Sequence, residues 1–157
     1  MTVQYFSENA LGDLLGSYTI EAATGEDVTV NAPESLQDGK YLLNQGKTSQ
    51  TLRVTETGAL TMEFYYDKNF VTVTTNSVAN GTTTPEGSYE VVKANTQLQI
   101  PAGTLTLYPP YKAGYTLVGI TGVGNGTEAT LPTGFNGSIE LTNLTADTTI
   151  TYYYKTT

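Results

Sequence analysis

The 157-residue chain has no cysteine, no histidine and no tryptophan. Without cysteine there are no disulfides, no thiolate metal sites and no thiol nucleophile. Without histidine the chain lacks the commonest general base and the commonest metal ligand. Charge is scarce too, at 14% of residues against about a quarter in ordinary domains. What charge there is leans acidic, with a net value of −8 and a pI near 4.3. Nucleic-acid binders carry a basic footprint, and anionic membrane surfaces attract basic segments, so neither partner is expected. No apolar run approaches the roughly 18 residues of a spanning helix, and no membrane insertion is expected. The opening MTVQYFSENA lacks a basic start and an apolar stretch, so no signal peptide is visible and the segment reads as part of a longer protein.

Threonine fills the space left by charge, with 30 residues beside 12 tyrosines and 16 glycines. β-Branched and aromatic residues in this proportion favour strands, and the clearest segments alternate with period two. In 60–66, Leu60, Met62, Phe64 and Tyr66 share one face, with Tyr65 on the other. In 149–154, Ile150, Tyr152 and Tyr154 oppose Tyr153. Further strands are expected at 2–6, 17–22, 28–30, 40–43, 51–55, 70–75, 89–93, 97–100, 104–108, 116–120 and 138–141. Asn80-Gly81, Asn125-Gly126 and Asn136-Gly137 carry the hairpin-turn signal. Pro85, Pro101, Pro109, Pro110 and Pro132 are expected to end or edge strands. Helix is expected to be minor, a single turn around Ala10–Leu15 or Pro33–Gln37 at most.

The chain ends each half alike, TMEFYYDK at 61–68 and TITYYYKT at 149–156. Proline, glycine, tyrosine and aliphatics precede both endings. Such self-similarity points to tandem modules, residues 1–68 and 69–157, each close to the size at which one core becomes marginal, about 70–80 residues. The spacing from Tyr65 to Tyr153 exceeds that from Tyr41 to Tyr115. The second module should therefore carry a loop insertion, within the glycine-rich tract 119–137. The fold class is mainly β: two tandem small β modules with little helix.

Val3-Gln4-Tyr5, Gly12-Asp13-Leu14-Leu15, Gly25-Glu26-Asp27-Val28-Thr29-Val30 and the closing Met62-Glu63-Phe64-Tyr65-Tyr66 give residues 2–68 a pattern that resembles a MucBP-type repeat of Gram-positive surface proteins. Ser7-Glu8-Asn9 departs from the aspartate-rich turn common in that family. In residues 70–157, Asn80-Gly81-Thr82, Pro85, Gly114-Tyr115 and the run Leu141-Thr142-Asn143-Leu144-Thr145-Ala146-Asp147-Thr148-Thr149-Ile150-Thr151 resemble, more loosely, the bacterial surface repeats that include internalin B-type repeats. The resemblance implies β-grasp-like or immunoglobulin-like modules forming an elongated stalk, extracellular and attached to the cell wall through a longer parent protein. It also implies neighbouring repeats as partners and adhesion to mucin or other host glycans.

Chemistry is otherwise thin. A glycosidase needs two carboxylates about 5–9.5 Å apart, and the acidic residues here are scattered apart from Glu26-Asp27. Gly122-Val123-Gly124-Asn125-Gly126 lacks the lysine and helix of a phosphate loop. Asp67-Lys68-Asn69 offers too few oxygens for calcium. No catalytic residue, metal or cofactor is expected. Tyrosine can stack on a sugar while its hydroxyl hydrogen-bonds, so Tyr65, Tyr153, Tyr108 and Tyr111 are the candidate ligand contacts. The expected function is a non-enzymatic stalk or adhesion fragment. The alternative is a carbohydrate-binding accessory region of a secreted glycosidase.

Overall fold

The computed structural model describes residues 1–44, 49–55 and 60–157. The described residues form thirteen strands and no helix. The chain divides into two compact units, Met1–Asn69 and Phe70–Thr157.

The first unit holds β1 (Thr2–Ser7), β2 (Leu14–Thr19), β3 (Asp27–Asn31), β4 (Ser35–Leu36), β5 (Tyr41–Leu43), β6 (Ser49–Arg53) and β7 (Thr61–Lys68). Its main sheet runs β2-β1-β7-β5-β4, and β3 pairs separately with β6. The central strands β1 and β7 are parallel, whereas β1–β2 and β5–β7 are antiparallel. Alternation puts Val3 and Tyr5 of β1 beside Met62, Phe64 and Tyr66 of β7, all buried. Burying Met62 or Phe64 fully stabilises the unit by about 1.5–3 kcal/mol each. Tyr5 contacts Tyr18, Phe64 and Tyr66, edge-on to the last at 5.7 Å between ring centres. The Tyr66 hydroxyl donates to the Pro33 carbonyl at 2.7 Å, which fixes the segment leading into β4. Gln50 of β6 donates to the Glu63 carbonyl of β7, tying the β3–β6 ribbon to the sheet.

The second unit holds β8 (Phe70–Ala79), β9 (Thr82–Val92), β10 (Leu105–Leu107), β11 (Tyr115–Thr121), β12 (Ile139–Leu141) and β13 (Thr148–Thr156). Its sheet runs β11-β13-β8-β9, with β13 and β8 parallel at the centre, and β10 pairs with β12. Val71, Val73, Val91, Ile120, Ile150, Tyr152 and Tyr154 pack with Leu107, Ile139 and Leu141 of the β10–β12 ribbon. The Tyr154 hydroxyl donates to the Pro110 carbonyl at 2.5 Å. The same inward tyrosine of each closing strand thus holds a proline carbonyl upstream. Asp147 accepts the Thr72 N–H through its side chain, which gives the threonine-rich closing string a structural task.

Asn80 and Gly81 both take positive φ, 51° and 74°, and join Ala79 to Thr82 in a two-residue hairpin. That is the turn whose twist matches its strands. The other two Asn-Gly pairs behave differently. Asn125 lies in the connection 122–138, where its side chain bonds the Thr133 N–H and hydroxyl. A Cβ on Gly126 would sit 2.1 Å from the Ile120 carbonyl oxygen, so this glycine serves close packing against β11. Asn136-Gly137 precedes β12 without pairing two strands.

Three other expectations are corrected. Ala10–Leu15 is not helical. Ser7 donates its N–H to Asp13, Gly12 to Asn9, and Leu11 to the Asn9 side chain, closing a tight loop from which β2 departs. Pro33–Gln37 contains β4 instead of a helical turn. Gln97–Ile100 is a turn: Asn95 and Ile100 exchange backbone hydrogen bonds, and the Asn95 side chain accepts the Leu98 N–H. Local bonding there outcompetes the alternating pattern.

Candidate functional site

A cleft of about 230 Å³ opens in the second unit where β8, β9 and β13 meet β10 and the segment that follows it. Tyr152 of β13 and Thr75 of β8 contribute from the central sheet, Thr106 and Leu107 from β10, and Tyr108 and Pro110 from the segment after it. The β9 side supplies Tyr89 and Glu86. Its volume lies below the roughly 300–1,000 Å³ of pockets that enclose a drug-sized ligand, and it suits one ring-sized group.

Glu86 reaches the cleft through an irregularity in pairing. Thr75 pairs with Gly87 and Asn76 with Pro85, so Glu86 is the extra residue of a bulge. Bulges re-aim side chains and are frequent beside functional sites. This one turns the carboxylate toward Ser77, whose hydroxyl donates at 2.6 Å. Lys112 donates at 3.0 Å to the same oxygen, Oε1. Both side chains of the pair are partly covered, Lys112 at 26% exposed and Glu86 at 23%. The Ser77 hydroxyl, and then Lys112, hold the Glu86 carboxyl below its ordinary value against the opposing effect of desolvation. Lys112 also lies 5.7 Å from the centre of the Tyr154 ring, a cation–π distance.

The walls are tyrosine. Tyr89 is 40% exposed and Tyr108 is 73% exposed. Tyr89 folds back over Gly87, where an added Cβ would fall within 3.0 Å of the ring. Burial pushes the Tyr152 and Tyr154 phenols up to about 12, so both hydroxyls stay protonated at neutral pH. Because Tyr154 holds the Pro110 carbonyl, the latch that closes the second unit also sets the rim carrying Tyr108.

The structure does not bring the four sequence-expected tyrosines together. Tyr108 lines the cleft, whereas Tyr111, 90% exposed, does not. Tyr153 is half-buried on the other face of β13 from Tyr152. Tyr65 belongs to the first unit, where its ring neighbours Phe6 and its hydroxyl is hydrogen-bonded to Glu63. That bond, followed by burial, raises its pKa. Sequence reasoning missed Glu86, Tyr89 and Lys112. Pro85 and Gly87 flanking Glu86 were the available signal, since proline and glycine inside a strand mark an edge or a bulge. Pro85 sits within β9 instead of ending it.

The Asp67-Lys68-Asn69 triplet is occupied structurally. Asp67 accepts from Asn44, and buried Asn69 donates to the Gly39 carbonyl. No group of three potential metal-ligating residues gathers among the described residues.

No protein-family model matches the chain, and no curated protein matches it. Among solved structures, the crystal structure of Mub-RV is 17% identical, with 99% of this chain and 97% of that chain covered and a TM-score of 0.30. The type 2 repeat of the mucus binding protein MUB from Lactobacillus reuteri is 15% identical, with 99% and 98% covered and a TM-score of 0.27. At these TM-scores neither likeness bears on the fold or activity of this chain.

Proposed function

We propose that this chain is a non-enzymatic adhesion segment of an extracellular surface protein, and that it holds mucin or other host glycans at the tyrosine-walled cleft. The observation that carries this reading is the cleft itself, in which a bulge delivers one fixed carboxylate between tyrosine rings and threonine hydroxyls. Tyrosine provides apolar stacking area with a polar tip, and a carboxylate accepts paired hydroxyls. Glu86 is the one carboxylate among the described residues lining the cleft, whereas glycoside hydrolysis uses two. That supports binding over turnover.

The resemblance of residues 2–68 to MucBP-type repeats supports attachment to a bacterial wall through a longer parent protein. The mixed sheet with a parallel central pair in each unit supports the β-grasp alternative over the immunoglobulin one, which stacks two antiparallel sheets. A shallow single-ring site binds weakly, and repetition along a parent protein would supply avidity.

The test is binding of the whole chain to immobilised mucin and to a glycan array. Tyr108→Ala is expected to lower binding at least tenfold, while Tyr65→Ala leaves it within twofold. Absence of glycan binding by the unmodified chain would refute the adhesion reading. Full binding by the Tyr108→Ala and Tyr89→Ala variants would remove the site from the cleft.

A further inference from the structure

Resting on the glycan-binding reading, we infer that the cleft selects neutral sugar ends, hexose or N-acetylhexosamine, and rejects sialylated and sulfated ones. Both hydrogen bonds of the Glu86 carboxylate fall on Oε1, from Ser77 and from Lys112. Oε2 accepts from no described residue and is available to a hydroxyl or amide N–H of a ligand. A charged acceptor binds such donors more strongly than a neutral one does.

The same charge repels an acidic sugar. No lysine or arginine is among the described residues lining the cleft. The cation bonded to it, Lys112, is already engaged by Glu86 and sits near the Tyr154 ring. An acidic sugar would have to draw Lys112 away from Glu86, leaving a partly covered carboxylate beside a second negative group. The net charge of −8 on the chain adds a repulsive background. The remaining polar groups, the Thr75 and Thr106 hydroxyls and the Tyr89, Tyr108 and Tyr152 phenols, each carry a single O–H donor, and that of Thr75 is directed at the Gly87 carbonyl. None supplies the forked donor set that recognises carboxylates and sulfates.

The experiment uses the unmodified chain on purified mucin before and after enzymatic removal of sialic acid and sulfate, with free galactose, N-acetylglucosamine and N-acetylneuraminic acid as competitors. Binding is expected to hold or rise after removal, and the neutral sugars alone should compete. Glu86→Gln keeps a partner for Ser77 but removes the charge. It should lower affinity for neutral ends about tenfold or more and narrow the preference over acidic ends. Binding that disappears on removal of sialic acid, or competition by N-acetylneuraminic acid, would overturn the selectivity while leaving the adhesion reading intact. No binding to any mucin or sugar would instead overturn the adhesion reading, and this inference with it. The competition series requires no variant, so it decides the question even if Glu86→Gln does not fold.

Discussion

Replacing Tyr66 by phenylalanine isolates the contact that the two closing strands share. The ring is fully buried and edge-on to Tyr5, so the variant keeps its packing and loses only the hydroxyl. What disappears is the 2.7 Å hydrogen bond to the Pro33 carbonyl. A typical intramolecular hydrogen bond contributes about 0.5–1.5 kcal/mol net, and the cost rises if the abandoned partner is buried. Pro33 is exposed and the bond is part-buried, and the expected loss is about 1 kcal/mol. In a unit of this size that lowers Tm by roughly 4–8 °C. Tyr66→Ala, which empties the ring site as well, should cost about 3–5 kcal/mol. Tyr154→Phe should match Tyr66→Phe in stability. It should also weaken glycan binding, because its partner Pro110 belongs to the cleft rim. Urea titration followed by far-ultraviolet circular dichroism measures the losses. A Tyr66→Phe loss below about 0.3 kcal/mol would show that water already serves the carbonyl and refute the latch. A loss as large as that of the alanine variant would mean that the hydroxyl organises the core and is more than a single latch.

Burial raises Tyr66, Tyr152 and Tyr154 to about 12. Their contribution to stability is therefore whole below pH 10, the unfolded value, and is lost as pH climbs toward 12. Each buried tyrosine can steepen the decline by up to about 1.4 kcal/mol per pH unit. A melting temperature that is flat from pH 9.5 to 12 would contradict that burial. Gly126→Ala should destabilise the second unit by about 1–3 kcal/mol, because its Cβ would overlap the Ile120 carbonyl oxygen. An unchanged thermal melt would mean that the connection 122–138 does not pack on β11.

Much of the fold was legible because β7 and β13 alternate large apolar and polar residues, and period two leaves one reading for such a run. The shared tyrosine pattern falls on two strands that each lie parallel to the first strand of their unit. The two residues of β4 are too few to form a pattern. The stretch 97–100 alternates like a strand, but bonds between Asn95 and its neighbours close it into a turn. The cleft was legible only at Tyr108, flagged by the rigid prolines after it. Glu86 was signalled only indirectly, by Pro85 and Gly87 on either side of it, because the bulge itself belongs to the register between two strands. Lys112 was hidden because its partner lies 26 residues away in sequence.

The parallel pairing of first and last strands has a mechanical consequence. In each unit the chain comes in at one end of the central pair and leaves at the other, since β1 runs alongside β7 and β8 alongside β13 in the same direction. A pull on the two ends of a unit therefore slides these strands past one another and loads their cross-strand hydrogen bonds together. Antiparallel terminal strands would instead peel apart one bond at a time. Six residue pairs join β1 to β7 and seven join β13 to β8, so each unit resists tension as a clamp in shear.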